Sequence, residues 1–308
     1  MVDVAICIPS FRRPQGLERL LRALEKLETS AAVTVIVADN DAEAHEAFDL
    51  CARIAPFYRW PLDGFIAGDR GIAQARNALT ERMLAKTSAQ FVAMLDDDEW
   101  PEPGWLDAFL RVQAETGADA LHGAVMPVFE SRPRVSIAEC DGMASQRGAT
   151  GRCEMIASTA NVFLSRACFE DMPKPCFDPA FGLSGGEDRD FFTRLHAQNR
   201  RFAYADEAMV CAYVPASRAT LAWALKRAYR VGNSDMRVFL KYRPSAGATL
   251  RECVKIAGAF AAAPVLSLAL AARPARRTLG LWKGFRAAGK LAALFGHRYD
   301  EYSVIHGA

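Results

Sequence analysis

Four consecutive carboxylates, Asp96, Asp97, Asp98 and Glu99, follow the nonpolar run FVAML at 91–95. Adjacent like charges repel, so a fold tolerates them best where something positive completes the cluster. Hard oxygen ligands in an Asp-x-Asp arrangement select Mg²⁺ or Mn²⁺, ions that usually hold substrate phosphates as well. On an extended strand end alternate residues share a face, which would bring Asp96 and Asp98 together and leave Asp97 and Glu99 second in rank. A helix N-cap with an acidic first turn is the competing reading. Pro101 and Pro103 delay the next helix, however, and place the cluster in a turn before it.

A second constellation is LSGGEDRDFFTRL, residues 183–195. Gly185 and Gly186 permit close approach of the backbone to a ligand. Glu187 and Asp188 open a helix, where the dipole alone would favour acids. A carboxylate within reach of an acceptor hydroxyl can also act as general base. In GIAQARN (71–77), Arg76 and Asn77 fall in the first two turns of a helix. There an arginine can reach a phosphate and an asparagine a ribose or base edge. Asp39, Asn40 and Asp41 end another apolar run, and acids there suit a ribose or base. His196 reads as an ordinary helix residue. The turn after the first strand is PSFRRP, without a GxGxxG, which disfavours a dinucleotide-dependent dehydrogenase.

These groups need a frame, and the apolar patterning supplies one. Strands are expected at 2–9, 33–39, near 57–60, and at 90–96, 119–130, 156–166, 202–205 and 208–213. Helices are expected over 14–28, 42–54, 71–87 and 103–116, from Glu187, and from about Thr220. Residues 131–152 are polar and glycine-rich and read as loop. Strand alternating with helix implies crossover connections and a parallel, doubly wound α/β sheet, and the pattern changes after about residue 130. In such sheets ligands bind beyond the carboxyl ends of the strands, where both acidic clusters fall.

The chain has 308 residues, 51% hydrophobic and 24% charged, which is ordinary globular composition. Its eight cysteines show no CxxC spacing, so reduced and mostly buried thiols are expected rather than zinc sites or disulfides. The N-terminus, MVDVAICIPS, has neither a basic nor a long apolar segment of the kind a signal peptide needs.

Charge is unevenly distributed. Residues 1–220 carry 23 basic and 32 acidic side chains, whereas residues 221–308 carry 15 and 4. A basic tail on an acidic body suits an anionic surface, either a membrane leaflet or nucleic acid. Residues 256–272 are uncharged, alanine-rich and interrupted by Pro264, and spanning, interfacial and soluble packing are all open. Over 275–295, Leu281, Phe285, Ala288, Ala292 and Phe295 recur on one side of a helix. Arg276, Lys283, Arg286 and Lys290 recur on the other. This amphipathic pattern suits an anionic membrane surface through 274–298 better than nucleic acid.

Taken in order, IPSFRRP, ADN (38–40), GIAQARN, LDDDEWPEPGWL and GGEDRDFFTRL resemble the inverting glycosyltransferases of family 2, over about residues 3–235. Within that family the chain looks most like bacterial exopolysaccharide enzymes of the succinoglycan glucosyltransferase kind. Arg218 and AYRVGNS (228–234) match their arginine and their aromatic–Arg–Gly–Asn stretch. The resemblance implies a GT-A-like doubly wound mixed sheet with a C-terminal helical extension. It implies a Rossmann-like nucleotide-sugar half at 1–130, an acceptor half at 131–219 and a basic, membrane-associating tail at 220–308. Carried over by position, Pro9, Phe11, Arg12, Asp39, Asn40, Arg76, Asn77, Asp96 and Asp97 would bind the nucleotide-sugar, with Asp39 on uracil or ribose. Asp98, with Asp96, would hold Mg²⁺ or Mn²⁺, and Asp188 would be the base. Gly186, Glu187 and Arg218 would lie on the acceptor side. The implied reaction moves a sugar from a UDP-sugar to a glycan or polyprenyl-linked acceptor at the inner face of the cell membrane, from the cytoplasm. Many relatives carry a His or an acid where this chain has Tyr213, a poor ligand for a hard cation. A nucleotidyltransferase of similar fold would need a glycine-rich triphosphate loop where PSFRRP stands. A non-catalytic membrane adaptor is the remaining alternative, and retention of Asp98 and Asp188 speaks against it.

Overall fold

A computed structural model describes residues 1–140 and 143–299. Asp141 and Gly142, in the expected 131–152 loop, lie outside the described residues. The first half alternates strand and helix: β1 (Asp3–Ser10), α1 (Pro14–Leu24), β2 (Ala32–Asp39), α2 (Glu46–Ile54), β3 (Leu62–Ile66), α3 (Ile72–Lys86) and β4 (Phe91–Met94). There follow β5 (Glu99–Pro101), α4 (Trp105–Thr116), β6 (Ala120–Phe129), the single turn α5 (Val135–Ala138), β7 (Gly151–Cys153) and β8 (Val162–Ser165). The short α6 (Ala167–Glu170), then α7 (Glu187–Ala197) and β9 (Phe202–Val214), complete the sheet region. Three long helices close the described chain: α8 (Leu221–Lys241), α9 (Ala246–Ala269) and α10 (Leu279–Leu294).

Among the described residues one mixed sheet runs β3-β2-β1-β4-β8-β6-β9-β5, with β7 also paired to β9. The first four strands are parallel. β8 lies antiparallel to both β4 and β6, and β6 and β9 are parallel. Alternation along β1 explains why both faces are covered. Val4, Ile6 and Ile8 point into one core, against Leu17, Leu20, Leu21 and Leu24 of α1 and Trp105 and Phe109 of α4. Ala5 and Cys7 point into the other, against α3 and the phenylalanines Phe169, Phe177, Phe191 and Phe192.

Several boundaries differ from the patterning. The strand expected near 57–60 is absent, because the polar tips of that stretch cap α1. The Tyr58 hydroxyl, Arg59 Nη1 and Trp60 Nε1 donate to the carbonyls of Leu21, Glu25 and Leu24, and the strand forms after Pro61 instead. The two strands expected at 202–213 are one, with a register shift opposite Gly123 and Val125. The 131–152 loop contains α5 and the start of β7. All eight cysteines are free thiols, five of them buried.

The tail helices are knitted together by glycine. A Cβ added at Gly289 would sit 1.9 Å from the Tyr229 carbonyl oxygen, and one at Gly232 would sit 2.0 Å from that of Arg286. Only glycine lets α8 and α10 approach so closely. The basic side expected for 275–295 is partly turned inward. Arg286 pairs with Asp235 at 2.6 Å and Lys290 with Glu252 at 3.2 Å. Leu281, Phe285, Leu291 and Phe295 are exposed instead. The apolar side expected for this helix is therefore open to solvent, and of the expected basic residues Arg276 and Lys283 are exposed as well.

Candidate active site

Asp96, Asp97 and Asp98 lie in the turn between β4 and β5, and Glu99 opens β5, so alternation along a strand does not set the directions of the three aspartates. Asp97 turns inward. Its Oδ2 accepts from Ser10 Oγ at 3.0 Å and from the Phe11 N–H at 3.3 Å, which ties the turn to the end of β1. Asp98 faces two arginines, Arg13 at 3.1 Å and Arg218 at 3.3 Å, and Arg13 also reaches Asp97 at 3.1 Å. Asp96 meets Arg76 at 3.2 Å. Glu99 closes the turn by accepting the Asp96 N–H at 3.0 Å. The positive partners of the acidic run are thus, in this chain, three guanidinium groups.

Arg76 joins the two acidic constellations. It rises from the second turn of α3, is almost wholly buried, and donates one nitrogen to Asp96 and another to Glu187. Glu187 opens α7 after Gly185 and Gly186, whose φ values of 73° and 102° lie in the left-handed region. That turn is held from outside: Ser234 Oγ donates to the Gly185 carbonyl and Arg237 to Ser184 Oγ. Asp190, one α7 turn on, accepts from Lys241 and Tyr242.

Burial and crowding push these carboxyls up. Glu187 is raised to about 7, first by burial, against Arg76, with Asp188 adding repulsion. Asp97 is raised to about 6 by burial, against Arg13, with Asp98 adding. Glu99 rises well above its ordinary range through burial and then Asp96. Asp96 rises through burial, opposed by Arg76, and feels both Asp98 and Asp188. Its side chain keeps 37% of its exposure, so water moderates the effect there more than at Glu187.

A cleft of about 310 Å³ lies over the strand ends. Of the residues expected at the site, Pro9, Phe11, Asn40, Arg76, Asp96, Asp97, Asp98 and Arg218 line it, together with Tyr213. Asn40 shapes its floor by accepting the Gly71 N–H and donating to the carbonyls of Ala67 and Asp69. Gly186, Glu187 and Asp188 stand behind Arg76 and do not line it. Three expected residues have other work. Asp39 is 1% exposed and accepts the backbone N–H groups of Asp41, Ala47 and Phe48, fixing the start of α2. Asn77 exchanges hydrogen bonds with the backbone of Phe177. Arg12, at φ 52°, points away and pairs with Asp41 and Glu43. Its neighbour Arg13 faces the carboxylates instead. Arg70, Trp223 and Arg227 also line the cleft and were not singled out by the sequence, and Arg230 of the AYRVGNS stretch lines it with them. Tyr213 holds Arg19 over its ring at 4.9 Å.

Residues 5–166 match Glycosyl transferase family 2. Over 304 residues the chain is 32% identical to the succinoglycan biosynthesis protein ExoM of Rhizobium meliloti (strain 1021), covering 96% of this chain and 93% of that protein. The chain belongs to glycosyl transferase family 2. As a member it is a glycosyltransferase that uses a nucleotide-sugar. Its fold is the GT-A fold. The structure of S. aureus TarS 1–349 in complex with UDP superposes with a TM-score of 0.54 at 16% identity, covering 97% of this chain and 93% of that one. GalNAc-T7 with UDP, GalNAc and Mn²⁺ gives 0.54 at 12% identity, covering 77% of this chain and 51% of that one.

Among the described residues no group of three or more His, Cys, Asp or Glu side chains is gathered to hold a metal. The family's divalent ion can still fit. Asp98 and Asp96 supply hard oxygens at the cleft, and two carboxylates suffice where diphosphate oxygens and water complete the shell.

Proposed function

We propose that this family 2 enzyme transfers a sugar from a UDP-linked donor, with inversion, to a glycan or polyprenyl-linked acceptor at the inner face of the cell membrane. In this reading residues 1–130 form the donor half, residues 131–219 the acceptor half, and residues 220–308 the membrane-side tail. The observation that carries the proposal is the Arg76 bridge. One buried guanidinium connects Asp96, at the donor cleft, with Glu187, beside the proposed base Asp188.

The nucleoside end of the donor lies along Pro9, Phe11 and Asn40, and Asp97 holds the turn beneath it. Asp39 acts at one remove, holding the turn that presents Asn40. The diphosphate lies towards Arg76, Asp96 and Asp98. A Mg²⁺ or Mn²⁺ ion held by Asp98 and Asp96 would offset the charge that grows on the leaving diphosphate. Asp188 accepts the proton of the acceptor hydroxyl as its oxygen bonds to the anomeric carbon. The bond from that carbon to the phosphate oxygen breaks, and its electron pair leaves with UDP. Attack comes from the face opposite the leaving group, so a single displacement inverts the centre. Arg218 borders the acceptor, and Glu187 acts from behind by holding Arg76.

The test is UDP release with a panel of nucleotide-sugars and Mn²⁺ or Mg²⁺. Asp188→Asn and Asp98→Asn should each lower turnover by about a hundredfold or more. Full turnover in both variants refutes the assignment.

A further inference from the structure

The helix α9 is long and apolar enough to cross a membrane, yet of its 24 residues only Ile256 is buried. Leu250, Val254, Val265 and Leu268 follow one another at helical spacing and are 65%, 63%, 65% and 82% exposed. On α10, which packs along α9, Leu281 and Phe285 are exposed as well. Soluble surfaces rarely leave so extended an apolar strip uncovered.

We propose that α9 lies in the plane of an anionic membrane surface, with Leu250, Val254, Val265 and Leu268 inserted among the lipid chains and arginines at both ends on the headgroups. This deepens the membrane-side location proposed above and rests on it. It also moves the main contact from the amphipathic stretch 274–298 to the apolar face of α9.

Three observations choose this occupant and this orientation. Residues 256–272 carry no charge, and exposed basic residues bracket them: Arg251 and Lys255 before, Arg273, Arg276 and Arg277 after. That pattern suits apolar insertion between two contacts to anionic headgroups. A second copy fits worse. Both ends of α9 are basic, so either parallel or antiparallel pairing of two α9 helices sets like charge against like. Crossing the bilayer is also disfavoured. α10 runs antiparallel along α9, with Gly280 against Ala263 and Ser267 and Lys290 against Glu252. α10 is in turn clamped to α8 through Gly232 and Gly289. A spanning α9 would draw Glu252, Lys290, Arg286 and Asp235 towards hydrocarbon, which is costly.

The experiment is flotation of the full chain with phosphatidylglycerol–phosphatidylethanolamine vesicles and with phosphatidylcholine vesicles, at low and at molar salt. Binding to the anionic vesicles should persist in molar salt. Val265→Glu/Leu268→Glu should lower the partition by at least about tenfold. Arg273→Glu/Arg277→Glu should lower it mainly at low salt. A wild-type chain that stays off anionic vesicles overturns the proposal, as does a Val265→Glu/Leu268→Glu chain that floats normally. A stable dimer dispersed by the same double substitution overturns it too, because α9 is then a protein interface. UDP release is measured on each variant in detergent. A chain that floats but releases no UDP damages the functional reading alone, and one that turns over without floating damages the anchor alone.

Discussion

Arg76→Met isolates the bridge between the two halves of the site. Arg76 and Glu187 are 5% and 2% exposed, so the substitution strands a buried carboxylate. Removing one partner of a buried pair costs about 3–5 kcal/mol. The loss depends on pH in a calculable way. In the wild type Glu187 titrates at about 7, held there by burial against the pull of Arg76. Without Arg76 its pKa rises further, so the variant keeps its proton where the wild type loses it. As the pH rises through about 7 the wild type releases that proton progressively while the variant holds it, so the deficit grows by an amount on the order of 1 kcal/mol. Ionised Glu187 is stabilised by Arg76 in the wild type alone, so the deficit must be larger at the higher pH. Urea denaturation at one pH on either side of about 7 reads it as a difference in midpoint at constant slope. Arg76→Met/Glu187→Gln should recover most of the stability, since an amide does not need the cation, while UDP release stays lost. Equal deficits at the two pH values, or no recovery in the double variant, refute the reasoning.

Two further outcomes follow from the same electrostatics. Glu187 and Asp97 bind their protons more tightly folded than unfolded, at about 7 against 4.5 and about 6 against 3.8. Stability from these two groups is therefore full below their unfolded values and is lost as pH rises towards 7. The ligand-free chain should melt at a lower temperature at pH 7 than at pH 5, and an opposite slope in thermal unfolding would sink the assignment. Carboxylates held low, such as Asp41 by Arg12, act only at more acid pH. Secondly, Arg13, Arg76 and Arg218 already neutralise Asp96–Asp98, so Mn²⁺ alone should bind weakly and UDP should strengthen it by at least about tenfold. Calorimetry that finds tight Mn²⁺ binding without nucleotide would show that the arginines do not compete.

Much of the frame was legible because burial on both faces of a parallel sheet writes continuous apolar strands, as at β1 and β2. The limits appeared where side chains serve the backbone. Asp39 looked free at a strand end, but its oxygens are taken by the first N–H groups of α2. The aromatic run at 58–60 looked like a strand, but its polar tips cap α1. In PSFRRP the sequence singled out Arg12, whereas the structure sets its neighbour Arg13 against Asp97 and Asp98. One left-handed residue sends Arg12 outwards and leaves Arg13 facing the acids, a difference no spacing rule contains. Arg227 was invisible for another reason. A helical arginine is ordinarily solvated, and only the placement of α8 beside the cleft makes it part of the wall.

That helix also accounts for the AYRVGNS stretch. Its residues divide by direction rather than sharing one task. Trp223, Arg227 and Arg230 face the cleft, on successive turns. Gly232 and Asn233 face the other way: the glycine admits the backbone of α10, and the asparagine amide donates to the carbonyls of Gly289 and His297. Ser234 and Arg237 hold the Gly185–Gly186 turn from which α7 starts. One rigid element therefore touches the arginine wall of the cleft, the turn ahead of Asp188 and the two helices whose outer face is apolar. If α9 rests on a membrane, no flexible linker separates that surface from the proposed base. The opening of the cleft is then fixed relative to the bilayer by the close glycine contact between α8 and α10. Such a fixed geometry suits an acceptor whose position is itself set by a lipid tail.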